Sequence, residues 1–542
     1  MIRGFNDLQK ALEKAHLMAA GFSYEELKRP LIAVINSWAE WQGHIHLRSI
    51  AEAVKIGIRS AGGTPLEFNT IALCDRLTGY RDGMRYSLPS RDLIADSIEV
   101  LVRGQPIFDG LVLIASCDKI VPGMLMAAAR LNLPTVFMPG GISLPLIKAE
   151  EASKKGWARK SFLAGQISER ELLNILSKFY STPGACGELG TACTMQIIAE
   201  ALGMAPAGSA IIPARSSEQL RLAKRAGELV MELVKRNIRA RDIMTRKSFE
   251  NAIMVTQAIG GSLNTVLHLP AIADEAGYKI SYEDFDRLGE KVPMICSVVP
   301  NGPYTVFDLY LAGGAQAILK RIEPYLNLDV LTVEGRSLKE ILQKVRVKDS
   351  DVIRSLKNPL RKTGGIAVLR GNLAEIGGVI KSSAVPENMF RFTGPARVYN
   401  KGIEFFKAVE KREIREGEVV VVRYEGMKGG PGMPELPGDY FNYIAKNNAL
   451  ITDGRFSGTH YGLLVGYILP EAIDGGNIAI VEDGDEIIID IKSKRLDLMI
   501  SNKELRRRRE KLKIPRLQVR GFLRRWSQHV QGLRVALKGS AN

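Results

Sequence analysis

Short aliphatic runs alternate with helical patterns in the first 140 residues, and this alternation restricts the possible folds most. Residues 32–36, 110–115 and 134–138 read IAVIN, GLVLIA and PTVFM. The first two runs are followed by small or polar residues and then by the helical patterns HLRSIAEAVKIGIRSAG and PGMLMAAARLN. Buried strands that alternate with helices form parallel sheets covered on both faces. The sequence therefore predicts an α/β domain whose functional residues lie at the carboxyl ends of the strands.

The pattern changes near residue 360. The later runs GIAVLRG, EVVVVRY, NIAIVED and DEIIIDI are short, β-rich and separated by Gly, Asp and Asn. This spacing predicts a barrel or sandwich with some helical cover. The charged stretch 344–361 is the candidate linker. We therefore expect an N-terminal α/β domain over residues 1–360 and a smaller, β-barrel-like α/β domain over residues 361–542.

The positive charge is concentrated at the C-terminal end. The chain has 542 residues and a formal net charge of +16, and residues 501–542 hold thirteen Lys and Arg against two Glu. A basic segment raises nucleic acid as a partner. A run such as RRRREKLK at 506–513 is more often a solvated helix face, so we expect no nucleic-acid partner.

No segment of the sequence has the character of a membrane span or a signal peptide. The apolar runs are far shorter than the roughly 20 residues that cross a bilayer. The first 22 residues contain Asp7 and Glu13 and have the pattern of an amphipathic helix. We therefore expect a cytoplasmic protein with no membrane partner.

Residues capable of metal binding or nucleophilic chemistry cluster in four segments. Five scattered cysteines do not form a secreted disulfide framework. Thiolates suit a soft metal centre, and carboxylates beside them suit a hard cation. The alternative is that the cysteines are small buried hydrophobes beside helix-capping Asp residues, and spacing alone leaves both interpretations open. The four segments contribute Cys74 and Asp75; Cys117, Asp118 and Lys119; Cys186; and the pair Glu435 and Ser457.

Two histidines and one serine carry weaker signals. His44 and His46 in GHIHL are either metal ligands or structural residues, and such a lone pair is more often structural. Ser457 has only His460 near it in sequence and no GxSxG motif, so a hydrolase triad is poorly supported.

Several long sequence strings carry more specific information than the composition does. They include GHIHLRSIAEAVKIGIRSAGGTPLEFNTIA, MRYSLPSRDLIADSIEVLV, FDGLVLIASCDKIVPGMLMAAARLNLP, GACGELGTACTM, YEGMKGGPGMPEL and ITDGRFSGTHYGLLVGYILPEA. Through them, residues 31–498 resemble the dihydroxy-acid and sugar-acid (phosphogluconate) dehydratase family. The resemblance implies an N-terminal α/β domain, a C-terminal barrel-like domain and an active site between them, in a homodimer or a dimer of dimers. It also implies dehydration of a 2,3-dihydroxy acid to a 2-oxo acid by an enzyme that holds an iron–sulfur cluster and Mg²⁺.

The resemblance assigns roles residue by residue. Cys117 and Cys186 match cluster ligands, and Ser457 matches the proposed general base. Lys119 matches a carbamylated, metal-binding lysine. The Mg²⁺ carboxylates are implied to be Asp75, Asp118 and Glu435.

This sequence departs from many family members at two places. An early cysteine is replaced by the segment Trp41–His44, while Cys74 stands beside Asp75, where those members usually lack a thiol. Cys74 is therefore a candidate third ligand, which favours a 4Fe–4S cluster with one open iron; a 2Fe–2S cluster is the alternative. The segment DRLTGYRD also places Arg76 and Arg81 where other residues are usual. These arginines either point inward and bind an additional anionic group, or point outward as surface charges.

The strings most resemble the branched-chain amino-acid enzyme, which acts on 2,3-dihydroxyisovalerate. The altered DRLTGYRD segment keeps an aldonate or phosphorylated aldonate as the alternative substrate. A homologue without catalytic activity is a further alternative, motivated by the missing early cysteine.

Overall fold

The first sheet has four parallel strands in the order β2-β1-β3-β4. The computed structural model of the chain describes residues 5–79, 82–147, 154–348, 350–436, 447–458, 460–516 and 519–530. Every residue of β1, β3 and β4 is buried, as expected for a sheet covered on both faces. The bounds are β1 (Leu31–Asn36), β2 (Thr64–Asn69), β3 (Gly110–Ala115) and β4 (Thr135–Pro139).

Helices build most of the remaining N-terminal part. Two of them, α2 and α9, pack closely at Gly57, which has no side chain. A Cβ at this position would lie 2.0 Å from the Lys224 carbonyl oxygen. The helices before residue 343 are α1 (Phe5–Ala19), α2 (Leu47–Ser60), α3 (Asp75–Thr78), α4 (Ser87–Gly104), α5 (Ile120–Leu131), α6 (Lys154–Leu163), α7 (Glu169–Phe179), α8 (Thr191–Ala201), α9 (Ser217–Arg236), α10 (Ala240–Ile243), α11 (Arg246–Ile259), α12 (Thr265–Glu275), α13 (Tyr282–Lys291), α14 (Val306–Leu311), α15 (Gly314–Arg321) and α16 (Leu338–Leu342).

The second sheet has eight strands in the order β12-β11-β7-β8-β9-β10-β6-β5 and closes into a barrel-like form. Closure comes from a bridge between Arg370, just after β5, and Arg495 in β12. The Leu496 amide donates to the Arg370 carbonyl at 3.0 Å across this seam. The strands are β5 (Ala367–Leu369), β6 (Gly377–Ile380), β7 (Arg391–Tyr399), β8 (Val419–Val422), β9 (Ala449–Thr452), β10 (Leu463–Leu469), β11 (Glu486–Asp490) and β12 (Arg495–Leu498), with helices α17 (Gly402–Glu410), α18 (Asn502–Lys511) and α19 (Gly521–His529).

The predicted fold class is confirmed: an α/β domain with a parallel sheet is followed by a barrel-like domain. The aliphatic runs at 32–36, 110–115 and 134–138 lie in strands. The prediction of a strand at the run NIAIVED is wrong, because Asn477–Ile480 forms a turn of 3₁₀ helix. All four of these residues are buried, and a short buried run has no periodicity that separates a strand from a helical turn.

The basic run in α18 contacts the protein's own acids. Arg508 pairs with Asp485 at 3.0 Å, and Arg509 pairs with Glu375. Among the residues that the structure describes, no helix combines the length and apolar character that a bilayer span requires.

Candidate active site

A cavity that is partly open to solvent brings together residues from both domains. Seven of the eight site residues expected from the sequence line it, and the eighth, Lys119, is buried next to it. The lining residues are Gln42, Cys74, Asp75, Arg76, Cys117, Asp118, Gly184, Cys186, Glu188, Gly190, Thr191, Ala192, Glu435 and Ser457.

The end of β3 supplies one wall of the cavity. This strand ends at Ala115, and Cys117 and Asp118 follow before α5 begins at Ile120. The Ser116 hydroxyl donates to the Gly43 carbonyl, which holds the early loop against this strand end. A Cβ on Gly43 would lie 2.9 Å from the Cys117 sulfur, so only glycine leaves that approach open. The segment that lacks the family's early cysteine therefore lies directly beside Cys117.

The other two thiols reach the same cavity from neighbouring loops. Cys74 lies between β2 and α3, and its backbone is extended immediately before the helix. Cys186 follows Gly184, whose φ of +120° and close approach to Ile142 exclude a side chain. The Ala185 amide then donates to the Gly141 carbonyl at 2.9 Å and anchors this loop at the end of β4.

The surroundings of all three thiols raise their pKa values. A hydrogen bond with Cys117, together with burial, raises the pKa of Cys74. Cys74 acts in the opposite direction on Cys117, but burial and the nearby Asp118 carboxylate raise the pKa of Cys117 overall. Burial also raises the pKa of Cys186. A bound metal deprotonates coordinating thiols, so these groups suit metal ligation better than free nucleophilic chemistry.

A lysine and two carboxylates form the polar floor of the cavity. The Lys119 ammonium lies 2.8 Å from Asp75 Oδ2 and 3.9 Å from Asp118 Oδ2. Burial alone would raise the pKa of Asp75, but Lys119 and Arg455 outweigh it and lower the pKa. Burial raises the pKa of Asp118 to about 6, and Asp75 and Glu435 contribute to this rise. The cluster is therefore poised to accept a further cation.

Glu435 enters the cavity from the barrel domain. Arg455 donates to Glu435 Oε2 at 2.6 Å, and Asn264 donates to the same oxygen at 3.3 Å. Ser87 donates to Asp75 at 2.7 Å and lies 3.5 Å from the Arg455 guanidinium. One hydrogen-bonded network thus connects the carboxylates of both domains.

Sequence reasoning missed Ser87, Asn264 and Arg455 as site residues. Arg455 stands in the string TDGRFSG, but only the structure shows that its side chain is fully buried. Asn264 has no local motif, because its role depends on contacts with residues 171 positions away.

Ser457 follows β9 in a loop that a buried lysine holds. Lys381 donates its ammonium to the Gly458 carbonyl at 2.7 Å, and burial lowers the pKa of Lys381 to about 7. Burial, with Lys381 nearby, lowers the pKa of His460 to about 3. His460 is therefore neutral at physiological pH.

His44 and His46 each contact a backbone carbonyl through one ring nitrogen. His44 Nδ1 lies 2.8 Å from the Ser37 carbonyl, and His46 Nε2 lies 2.6 Å from the Gly140 carbonyl. Both rings are buried, and burial lowers the pKa of His46 to about 4.

Arg76 lines the cavity, and its Nη2 lies 3.4 Å from Glu188 Oε2. Burial would raise the pKa of Glu188, but Lys155 and Arg76 lower it to about 2. The second arginine of the segment, Arg81, lies outside the described residues.

The donor set suits an iron–sulfur cluster and a divalent cation in its chemistry, since thiols are soft ligands and carboxylates are hard ones. Three thiols and three carboxylates line one cavity, and a Cβ on Gly43 would crowd the Cys117 sulfur. Within the described part of the chain, no three His, Cys, Asp or Glu side chains already converge as a complete ligand group for one ion. The Lys119 ammonium occupies the space between Asp75 and Asp118 instead.

Both halves of the chain match one family. Residues 29–341 match the Dihydroxy-acid/6-phosphogluconate dehydratase N-terminal family, and residues 351–535 match the corresponding C-terminal family.

Full-length relatives carry the same functional name. A dihydroxy-acid dehydratase of Pyrococcus furiosus is 48% identical over 532 residues, which cover 96% of each chain. A dihydroxy-acid dehydratase of Caldicellulosiruptor saccharolyticus is 46% identical over 537 residues, which cover 96% of this chain and 97% of the relative.

Proposed function

Because the chain belongs to the dihydroxy-acid/6-phosphogluconate dehydratase family, we propose that it is a hydro-lyase that dehydrates a 2,3-dihydroxy acid to a 2-oxo acid. The substrate we assign is 2,3-dihydroxyisovalerate, as in branched-chain amino-acid biosynthesis, since the full-length relatives are named dihydroxy-acid dehydratase. The observation that carries the proposal is the single cavity in which thiols, carboxylates and Ser457 meet.

The iron–sulfur cluster belongs to this proposal. Cys74, Cys117 and Cys186 would hold it, and three thiolates favour a 4Fe–4S cluster with one iron left open over a 2Fe–2S cluster. Asp75, Asp118 and Glu435 would hold Mg²⁺, with Lys119 as a further ligand once carbamylated. When bound, these groups supply Lewis acids for the departing 3-hydroxyl and for the substrate carboxylate and 2-hydroxyl.

The chain's own residues then handle the proton. Ser457 Oγ takes the proton from C2 of the substrate while the C3–O bond breaks, and this proton passes to the departing hydroxyl, which leaves as water. The resulting enol becomes the 2-oxo acid when it loses its O–H proton and a proton adds at C3. The Lys381 contact with the Gly458 carbonyl fixes the loop that carries Ser457.

Two observations keep a sugar acid as the second candidate substrate. The family description includes 6-phosphogluconate dehydratase, and Arg76 lines the cavity as a cation able to bind an anionic group.

A substrate panel tests the proposal. Protein purified without oxygen should convert 2,3-dihydroxyisovalerate to its 2-oxo acid faster than it converts gluconate or 6-phosphogluconate. Ser457→Ala should retain its iron and lose turnover, whereas Ser493→Ala, at an exposed turn, should behave as wild type. Turnover by Ser457→Ala would contradict the assignment of the base, and an inactive wild type with full iron would contradict the proposed activity. Light scattering tests the homodimer, which stays a prediction.

A further inference from the structure

Glu188 lies at the boundary between the active-site cavity and a second cavity that is also partly open to solvent. The same residue lines both: Arg76 lies on the active-site side, and Lys155 lies on the other. The second cavity is otherwise largely apolar, with Pro145, Ile147 and Val299 among its lining residues.

The two carboxylate oxygens of Glu188 face two different cations. Glu188 Oε2 lies 3.4 Å from Arg76 Nη2, and Glu188 Oε1 accepts a hydrogen bond from the Lys155 ammonium. Lys155 is buried and also lies 4.8 Å from the centre of the Tyr180 ring. Glu188 therefore engages the cations on both sides of this wall.

We propose that Glu188 is a specificity-determining residue that restricts the active site to acids with one anionic group and an uncharged distal end. This inference rests on the proposed dehydratase function and names its substrate class more narrowly. The single carboxylate of such a substrate would bind at the Asp75 and Asp118 end of the cavity.

The negative charge of Glu188 is the physical basis. A substrate with a second anionic group, such as a phosphorylated aldonate, would bring that group to the wall where Glu188 lies between Arg76 and Lys155. Glu188 repels such a group and offsets the charge of one of the two cations, so it weakens their attraction for a second anion. Glu188 also takes up the Arg76 and Lys155 contacts that would otherwise bind the second anion as charge-assisted hydrogen bonds.

The substitution Glu188→Gln removes the negative charge and preserves the size of the side chain. We expect its affinity for 6-phosphogluconate, measured by calorimetry, to rise at least about tenfold over wild type, the factor expected of one charge-assisted contact. Its KM for 2,3-dihydroxyisovalerate should change much less. Glu169→Gln, at an exposed position of α7, is the matched control and should bind both acids as wild type does.

Two further variants keep the test decisive if Glu188→Gln is unstable. Glu188→Asp retains the charge and should still reject 6-phosphogluconate. Arg76→Gln leaves Glu188 in place and should not gain affinity for 6-phosphogluconate. An unchanged affinity of a folded Glu188→Gln for 6-phosphogluconate, or tight binding by wild type, would overturn the inference. Because calorimetry measures binding alone, this outcome is distinct from a wild type that binds 2,3-dihydroxyisovalerate but does not convert it, which would contradict only the proposed function.

Discussion

Arg455 donates a hydrogen bond of 2.6 Å to Glu435, and both side chains are almost fully buried. The same guanidinium donates to the Met433 carbonyl at 2.7 Å, so it also fixes the backbone before Glu435. A buried carboxylate without its cation is costly, because the charge has lost its hydration. Arg455 therefore both orients Glu435 and stabilises its charge.

Arg455→Met should destabilise the protein strongly. Removal of one partner of a buried ion pair costs about 3–5 kcal/mol, because the remaining charge stays buried. Arg495→Met is the matched control, since Arg495 is exposed and its pair with Asp497 should contribute no more than about 1 kcal/mol. Urea unfolding of both variants measures the difference. Equal losses in the two variants would show that the Arg455 pair contributes no more than a surface pair.

Cysteine substitutions should separate cluster ligands from core residues. Cys74→Ser, Cys117→Ser and Cys186→Ser should each lower the iron and sulfide content of anaerobically purified protein. Cys296→Ser should retain both, because Cys296 is buried and does not line the active-site cavity. Iron and sulfide analysis with the visible absorption spectrum measures this. Full iron in Cys74→Ser would show that Cys74 does not replace the family's early cysteine.

Lys119→Met should weaken Mg²⁺ binding and abolish turnover. If Lys119 is carbamylated, it supplies an anionic oxygen, and its loss should reduce Mg²⁺ affinity at least about tenfold. Mass spectrometry of protein equilibrated with ¹³C-bicarbonate, with trapping of the carbamate, detects the modification directly. Tighter Mg²⁺ binding by Lys119→Met would indicate that Lys119 remains a cation that competes with the metal for Asp75.

The fold was predictable where local pattern and burial agree. The runs at 32–36 and 110–115 have continuous aliphatic character because both faces of the first sheet are covered. The strand predicted at Asn477–Ile480 was wrong, because tertiary packing can bury a helical turn as completely as a strand.

The site was predictable only where ligand-type residues stand in recognisable strings. The resemblance named Cys117, Asp118 and Ser457, and the structure places them at one cavity. Asn264 and Glu188 were not singled out. Their importance depends on long-range contacts, with Glu435 for one and with Arg76 and Lys155 for the other. Local sequence carries no record of such contacts.

Glu471 should make stability fall as the pH rises. Burial, and then the nearby Asp453, raise the pKa of Glu471 from 4.5 to about 8. The folded protein therefore retains a proton that the unfolded chain loses above pH 4.5, so the stabilising effect is present at low pH and is lost as the pH rises to about 8. Relative to Glu471→Gln, the free energy of unfolding of wild type should fall by about 1.4 kcal/mol per pH unit between pH 6 and 7 and less steeply up to pH 8. Urea unfolding across this range measures it, and parallel pH profiles would contradict the assignment.

The C-terminal helix α19 should stabilise the wall of the active site through Trp526. Its indole N–H donates to Asp92 at 2.8 Å, and Phe522 on the same helix stacks against Tyr86, which precedes the Asp75 partner Ser87. Trp526→Ala removes a large buried side chain and should lower the free energy of unfolding by about 3–5 kcal/mol. Trp526→Phe keeps most of the packing and loses the hydrogen bond, so it should cost about 1 kcal/mol. Trp157→Ala, at an exposed site, should have little effect on urea unfolding, and a Trp526→Ala loss as small as this control would show that α19 does not contribute to stability.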